Sequence, residues 1–312
     1  MKFIKDMAEG EIVVGHYYCK QRQNLKSRAG KTYLSLKLQD KTGVVDGKVW
    51  NLNNDIQSFQ EGDFIKIAGT ALNYQNDLQL NINKIRKSVE GEYDPADYIP
   101  STPFSVESLW AQVNALMASV NQKQLAQLLK NVFADEKIVT AFKSNSAARA
   151  MHHSYMGGLL EHTASVAAIC DFLAEHYKSA NRDILITAAL LHDLGKIYEL
   201  SAFPNNDYTD DGELLGHIVM TSEMIERECE RIEGFPHSLK SLLKHCILSH
   251  HGEYEYGSPK LPKIIEAVIL HYADDLDAKI NAFESAVAGD NTAGGWVGFS
   301  KMFNGNLRKT TF

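Results

Sequence analysis

From Lys31 to Leu38 (KTYLSLKL) the chain alternates, with Leu34, Leu36 and Leu38 on one side and Tyr33 on the other. A period of two marks a half-buried strand, because successive side chains leave opposite faces. Lys41-Thr-Gly43 reads as a turn, and the chain from Val44 to Trp50 resumes extended structure. FIKIAGTA from Phe64 and LQLNINKI from Leu78 alternate again, separated by the turn-rich Asn73-Tyr-Gln-Asn-Asp77. About five short strands in so few residues predict a small closed β-barrel over residues 1–88.

Residues 89–103 (VEGEYDPADYIPSTP) break this period and hold three of the seven prolines, so they read as a linker. From Phe104 the period becomes helical: Leu109, Val113, Leu116 and Val120, then Leu125, Leu128, Leu129 and Val132. Ser105 and Asn121 are placed to cap these helices. Further helices are predicted over 157–177, 183–192, 214–232, 239–249 and 263–283. The expected architecture is multidomain: a small all-β barrel, the linker, an all-α domain over 104–288 and an irregular tail over 289–312.

Composition narrows the class. A hydrophobic share of 44% and a charged share of 23% are ordinary for a globular chain. No apolar run approaches the ~20 residues of a membrane span, and no secretory signal opens the chain, so no membrane partner and a cytoplasmic location are expected. Four scattered cysteines without a CxxC pair argue against a disulfide framework or a zinc ribbon. The net charge of −7 divides unevenly: residues 1–88 hold 14 Lys and Arg against 9 Asp and Glu, the remainder 18 against 30. A basic barrel ahead of an acidic helical body suits phosphate attraction by the barrel.

Chemistry concentrates in the helical part. Eleven of the twelve histidines lie between His152 and His271. Four islands stand out: Gly157-Gly-Leu-Leu-Glu-His162; Leu190-Leu-His-Asp-Leu-Gly-Lys196; Leu214-Leu-Gly-His217 with Ser249-His-His-Gly252; and His271-Tyr-Ala-Asp-Asp-Leu-Asp-Ala278. Imidazole and carboxylate suit Mn, Fe, Zn or Mg. His192 and Asp193 end the apolar run ILITAALL, so both side chains can reach one site. An acid buried there is costly unless paired or bound to a metal. Gly195 allows a tight exit, and Lys196 suits either a phosphate or a neighbouring carboxylate. His16, His176, His237, His245 and His271 read as ordinary polar residues.

These islands resemble the HD superfamily of metal phosphohydrolases, whose pattern is a His, a His-Asp pair and a distant Asp; LLHDLGK is the most diagnostic stretch. The resemblance implies His162, His192, Asp193 and Asp274 as primary metal ligands, Asp274 rather than Asp275 because ADDLDA resembles the family's ending. His217, His250 and His251 resemble the additions of HD sites that hold two divalent metals, one of the adjacent pair being open to an outer role. Manganese is the first candidate, with cobalt, iron, magnesium and zinc open. Residues 1–88 resemble the OB-fold modules of nucleic-acid-binding proteins. The joint architecture, including HHSYMGGLLEHT and HYADDLDAK, resembles the YhaM family of bacterial 3′→5′ exoribonucleases. That resemblance implies hydrolysis of single-stranded RNA from its 3′ end, with single-stranded DNA and homo-oligomerisation open. Asp193 is then the carboxylate between metals, and Lys196 stabilises charge on the phosphoryl oxygens.

Substrate contacts are expected from His152 and His153, which precede the first ligand helix, and from the barrel. There Tyr17, Tyr33, Trp50, Phe64 and Tyr74 are candidates to stack bases. Tyr33 is favoured because it opposes the apolar face of its strand, whereas Phe64 and Trp50 are expected in the core. Lys31, Lys37 and Lys48 are candidate phosphate contacts. Two rivals stay open: an HD phosphodiesterase or nucleotidase acting on small or cyclic nucleotides, and a non-enzymatic single-strand-binding protein with a structural metal. A surplus of ligands over the four of a closed structural site weighs against the second.

Overall fold

Alternation in the first part of the chain closes a barrel. In the computed structural model its strands are β1 (Ile12–Lys26), β2 (Thr32–Asp40), β3 (Gly43–Val49), β4 (Phe64–Tyr74) and β5 (Asp77–Lys87), in the closed order β1-β2-β3-β5-β4. The structure describes all residues except 1, 28–29, 54, 75–76, 95–96, 150–152, 204, 289–294 and 311–312. β1 pairs with β4 through its first half and with β2 through its second, Tyr18 standing opposite both Phe64 and Gln39. A register shift between Cys19 and Gln21 marks the changeover, as expected of a bulge that bends a shared strand. β3 and β5 run parallel. The OB-fold topology is therefore present, with Leu34, Leu36 and Leu38 packed against Val45, Val49, Ile65, Ile67, Leu80 and Ile82.

Three aromatic expectations are corrected here. Tyr17 is a core residue rather than a stacking surface: it is in phase with Val13 and Gly15, is fully buried, and donates its hydroxyl to the Lys2 carbonyl at 2.9 Å. Trp50 is not in the core. Leu34 pairs with Val49, so the next residue outward on each strand shares the other face, and Trp50 lies 43% exposed against Tyr33, ring centroids 4.5 Å apart. Phe64 lies outside the barrel, half-buried under Tyr93 and Tyr98 at centroid distances of 4.4 and 5.4 Å. Those tyrosines belong to the expected linker, which packs on the barrel instead of hanging free. Gln39 donates to the Tyr98 carbonyl at 3.1 Å, and Lys41 pairs with Asp97 at 2.6 Å. The chain accordingly divides into two compact units, Met1–Ser101 with Phe203–Asn205, and Thr102–Ala202 with Asn206–Phe312.

The second unit is helical: α1 (Val106–Ala118), α2 (Lys123–Val132), α3 (Glu136–Ser144), α4 (Gly158–His176), α5 (Arg182–Leu191), α6 (Lys196–Glu199), α7 (Asp210–Glu230), α8 (His237–Ser249) and α9 (Ile265–Ala288). Ser105 caps α1 by accepting from the Ser108 amide at 3.3 Å. α2 is capped by Gln122 rather than Asn121: the Gln122 side chain accepts from the Leu125 amide at 2.8 Å, whereas the Asn121 side chain donates to the Ser119 carbonyl at 3.2 Å. Every residue of α5 from Ile184 to Leu191 is buried, the mark of a central helix. α4, α8 and α9 pack around it. The tail read as irregular contains a hairpin, β6 (Trp296–Ser300) with β7 (Gly305–Arg308). Strands this short, one of them holding Gly298, show too few alternations to be read from sequence. No helix among the described residues is long and apolar enough to cross a membrane.

Candidate metal centre

Four side chains from three helical segments meet at the heart of the second unit. His162 comes from the second turn of α4, His192 and Asp193 from the end of α5, and Asp274 from the middle of α9. His162 Nε2 lies 3.1 Å from Asp274 Oδ1, 3.2 Å from His192 Nε2 and 3.5 Å from Asp193 Oδ2. His192 Nε2 is 3.4 Å from the same Asp193 oxygen. Ligands held at ~2.0–2.2 Å from one ion stand roughly 3.0–3.5 Å from one another, so this spacing fits a single cation. The neighbouring Asp275 turns away to pair with Lys279.

A second group adjoins the first through the other oxygen of Asp193. His217 Nε2 is 3.3 Å and His250 Nε2 3.6 Å from Asp193 Oδ1. Ligand atoms of His217, His250 and His251 lie within 4.8 Å of one another. Local backbone makes this meeting possible. α7 is interrupted at Gly216, whose φ of 75° lies in the left-handed region that favours glycine. Beyond the break His217 donates both its amide and its Nδ1–H to Glu199 Oε1, each at 2.9 Å. Gly195 lets the turn after Asp193 press against α7: a Cβ there would stand 2.4 Å from the His217 carbonyl.

One pattern unites the five histidines. Each commits Nδ1–H to an acceptor: His162 to Asp277 Oδ2 (2.7 Å), His192 to the Ala189 carbonyl (2.8 Å), His217 to Glu199, His250 to the Ile247 carbonyl (2.7 Å) and His251 to the Tyr256 carbonyl (2.7 Å). In the neutral ring that fixes the tautomer and leaves Nε2 as the lone-pair nitrogen. Nε2 of His217 and of His250 is buried with no hydrogen-bond partner. Such a group is costly unless something else satisfies it.

Electrostatics favour a cation. Burial works against ionising Asp193, yet Lys196, His192 and His162 hold its carboxyl well below the ordinary range. Burial likewise opposes, and histidine neighbours overcome, the lowering of Asp274 and Asp277. Around His162 these three carboxylates outweigh burial and raise the imidazole well above its usual value. In the second group burial wins. His217 and His250 are lowered, and burial together with the neighbouring His250 brings His251 down to about 4, so these three rings are neutral donors near pH 7. The residues fit a divalent metal: neutral imidazoles in the second group, ionised carboxylates whose charge a cation would balance in place of the His162 proton, and a rigid outer layer.

Lys196 lies 2.7 Å from Asp193 Oδ2 and is buried, so it neutralises a carboxylate while also lining the hollow of about 550 Å³ that opens at the cluster. His271, read as an ordinary polar residue, lines the same hollow and donates to the His250 carbonyl at 2.9 Å. His153 is buried behind His162, at 2.9 Å from Asp277, and lines a separate hollow of about 360 Å³. His152 lies outside the described residues. In the barrel, Tyr33, Lys37, Lys48 and Trp50 share the outer face of the β2–β3 hairpin. Lys48 donates to Ser35 at 2.6 Å, and Lys31 donates to Asn51 at 2.5 Å. Tyr74 is exposed at the end of β4. Glu199 and Asp277 were not singled out from sequence. Their signal is helical spacing, since each follows an expected site residue by three positions, Lys196 and Asp274 respectively.

An OB-fold barrel followed by an HD-type metal site defines the class. The HD domain family matches residues 159–279, and the OB-fold nucleic acid binding domain of the tRNA anticodon type matches residues 20–87. The 3′-5′ exoribonuclease YhaM of Geobacillus sp. strain WCH70 is 35% identical over 260 residues, 83% of this chain and 79% of its own length. The chain belongs to the YhaM family. Among solved structures, the second OB-fold domain of replication protein A from Methanococcus maripaludis is 18% identical, covering 30% of this chain and all but 2% of its own, with a TM-score of 0.24. Aspartyl tRNA synthetase from Entamoeba histolytica is 10% identical, covering 76% of this chain and 55% of its own, with a TM-score of 0.23. Scores this low establish no shared overall fold.

Proposed function

We propose that the protein is a metal-dependent exoribonuclease that hydrolyses single-stranded RNA from the 3′ end. The observation that carries it is the convergence of histidine Nε2 atoms on the two oxygens of Asp193, in a chain 35% identical to an exoribonuclease over most of its length. His162, His192, Asp193 and Asp274 would hold one divalent ion, and His217, His250 and His251, with Asp193 beside them, would hold a second. Manganese is the first candidate for both positions. When bound, such ions supply Lewis acidity and lower the pKa of water toward neutrality.

The chain's own residues do the rest. Asp277 and Glu199 hold the rings of His162 and His217 in place. Lys196 keeps a fixed positive charge beside Asp193, where negative charge on phosphoryl oxygens is stabilised most strongly away from water. On the barrel, Tyr33 and Trp50 offer an aromatic face, and Lys31, Lys37 and Lys48 offer cations to a single strand. Covalent linkage of the two modules raises the local concentration of strand near the site without any further contact.

A 5′-labelled RNA with a single-stranded 3′ tail, incubated with Mn, Mg, Co and Zn in turn, tests the reading against the same RNA with a blocked 3′ end and against its DNA equivalent. A ladder that shrinks from the 3′ side, with the blocked strand preserved, is expected. Internal cuts appearing first, or equal decay of the blocked strand, would reject exonucleolytic action. Hydrolysis of cyclic or small nucleotides alone would move the protein to the small-nucleotide branch of HD enzymes.

A further inference from the structure

The hollow at the metal cluster has a mouth whose chemistry the metal ligands do not use. Tyr256 lines it with 66% of its surface exposed. Its backbone is nevertheless fixed: the Tyr256 carbonyl accepts Nδ1–H of His251 at 2.7 Å, and Gly257 closes the short turn at φ 86°. The ring is thus an open face on a backbone anchored to a cluster histidine. Two cations line the same mouth. Arg149 pairs with Asp207 at 2.9 Å and lies over the Tyr208 ring at 5.7 Å; Lys279 pairs with Asp275 at 2.7 Å. Both cations are more than half exposed, at 52% and 55%. Exposed pairs of this kind contribute little, so a phosphate can take either cation from its acid at small cost.

An aromatic face fixed beside two lightly held cations suits a nucleoside and its flanking phosphates. Every base has a π-face, so stacking needs no sequence match. The volume of about 550 Å³ falls in the range of small-molecule sites, ~300–1,000 Å³. We propose that this mouth is a subsite for the terminal nucleoside of the strand, with Tyr256 stacking on its base and Arg149 and Lys279 contacting the flanking phosphates. The inference rests on the exonuclease reading for the identity of the strand, but its ligand chemistry can be measured without turnover.

The experiment compares wild type, Tyr256→Ala, Tyr256→Phe and Arg149→Gln, each as the full chain loaded with manganese. Calorimetry measures adenosine 5′-monophosphate and ribose 5-phosphate; kinetics measures single-stranded RNA and bis(p-nitrophenyl) phosphate. Removing the ring should weaken adenosine monophosphate roughly tenfold while leaving ribose phosphate unchanged. Tyr256→Phe should stay within about twofold of wild type, because stacking needs the ring and not the hydroxyl. Arg149→Gln should weaken both phosphates and reduce the salt dependence of RNA binding by about one unit of slope. For Tyr256→Ala, kcat/KM on RNA should fall about tenfold, and KM for the nitrophenyl ester, whose rings can stack on the same face, should rise with kcat held. Equal weakening of both phosphates by Tyr256→Ala would mean the residue acts only through His251 and would overturn the subsite. So would adenosine monophosphate binding that is absent in the wild type or unchanged in the variant. A wild-type protein that binds adenosine monophosphate through Tyr256 yet leaves RNA intact would keep the subsite and reject the exonuclease reading.

Discussion

The two interiors of this protein treat buried polarity in opposite ways. In the barrel the core is mostly aliphatic, and its buried polar side chains close on the backbone: Asp40 accepts the amides of Ile4 and Thr42 at 2.6 and 2.7 Å, and Gln39 donates to the Tyr98 carbonyl. In the helical unit four carboxylates, five imidazoles and a lysine gather at one place, and two of the imidazole nitrogens remain without a hydrogen-bond partner. The first arrangement completes a fold. The second leaves donor atoms aimed at something the chain does not itself supply. Buried polar groups therefore have to be read by where their last lone pair points, not by their number.

The sharpest way to break this comparison is Asp193→Ala. If Asp193 serves both groups, hydrolysis of a small phosphodiester should fall on the order of a thousandfold or more while circular dichroism stays helical. Near-wild-type turnover at saturating manganese would refute the site. Asp277→Asn acts one layer out, keeping the shape around His162 but removing the charge. Manganese affinity measured by calorimetry should drop roughly 10–100-fold, and unchanged affinity would make Asp277 a packing residue.

Smaller effects are expected outside the centre. Replacing Tyr33 and Trp50 together by Ala should raise KM for long RNA about tenfold and leave the small ester alone; a matching loss on both substrates would count against a separate strand-binding face. Least affected should be Glu226, which the Lys240 and Lys244 ammonium groups lower to about 2. Because its folded-state value is depressed, its contribution is complete above the ordinary carboxylate value of 4.5 and is lost as pH falls toward 2. The pair is on the surface, so Glu226→Gln should cost under about 1 kcal/mol at neutral pH and nearly nothing at pH 2, read by urea titration.

Much of this was legible because one strand face and one helix stripe repeat over many residues. Leu34, Leu36 and Leu38 predicted their own burial, and the run before His192 predicted an apolar helix. What failed needed partners distant in sequence. Trp50 lies beside Tyr33 only through the β2–β3 register, and Tyr17 turns inward where β1 is shared by two neighbours and Gly15 leaves room for its ring. Asp277 lay within a motif already noticed and Glu199 three residues beyond another, yet their roles depend on rings brought from α4 and from beyond the kink in α7. Residue spacing shows which side chains can share a face; it does not show which of them holds another still.

The break at Gly216 also bears on when disorder is lost. One carboxylate oxygen of Glu199 grips His217 at two points, backbone amide and ring, so neither the main chain nor the imidazole can swing independently. The freedom this removes is surrendered as the helices assemble, before any ligand arrives. An ion captured there would find a donor with little left to freeze, which would favour tight retention over rapid exchange.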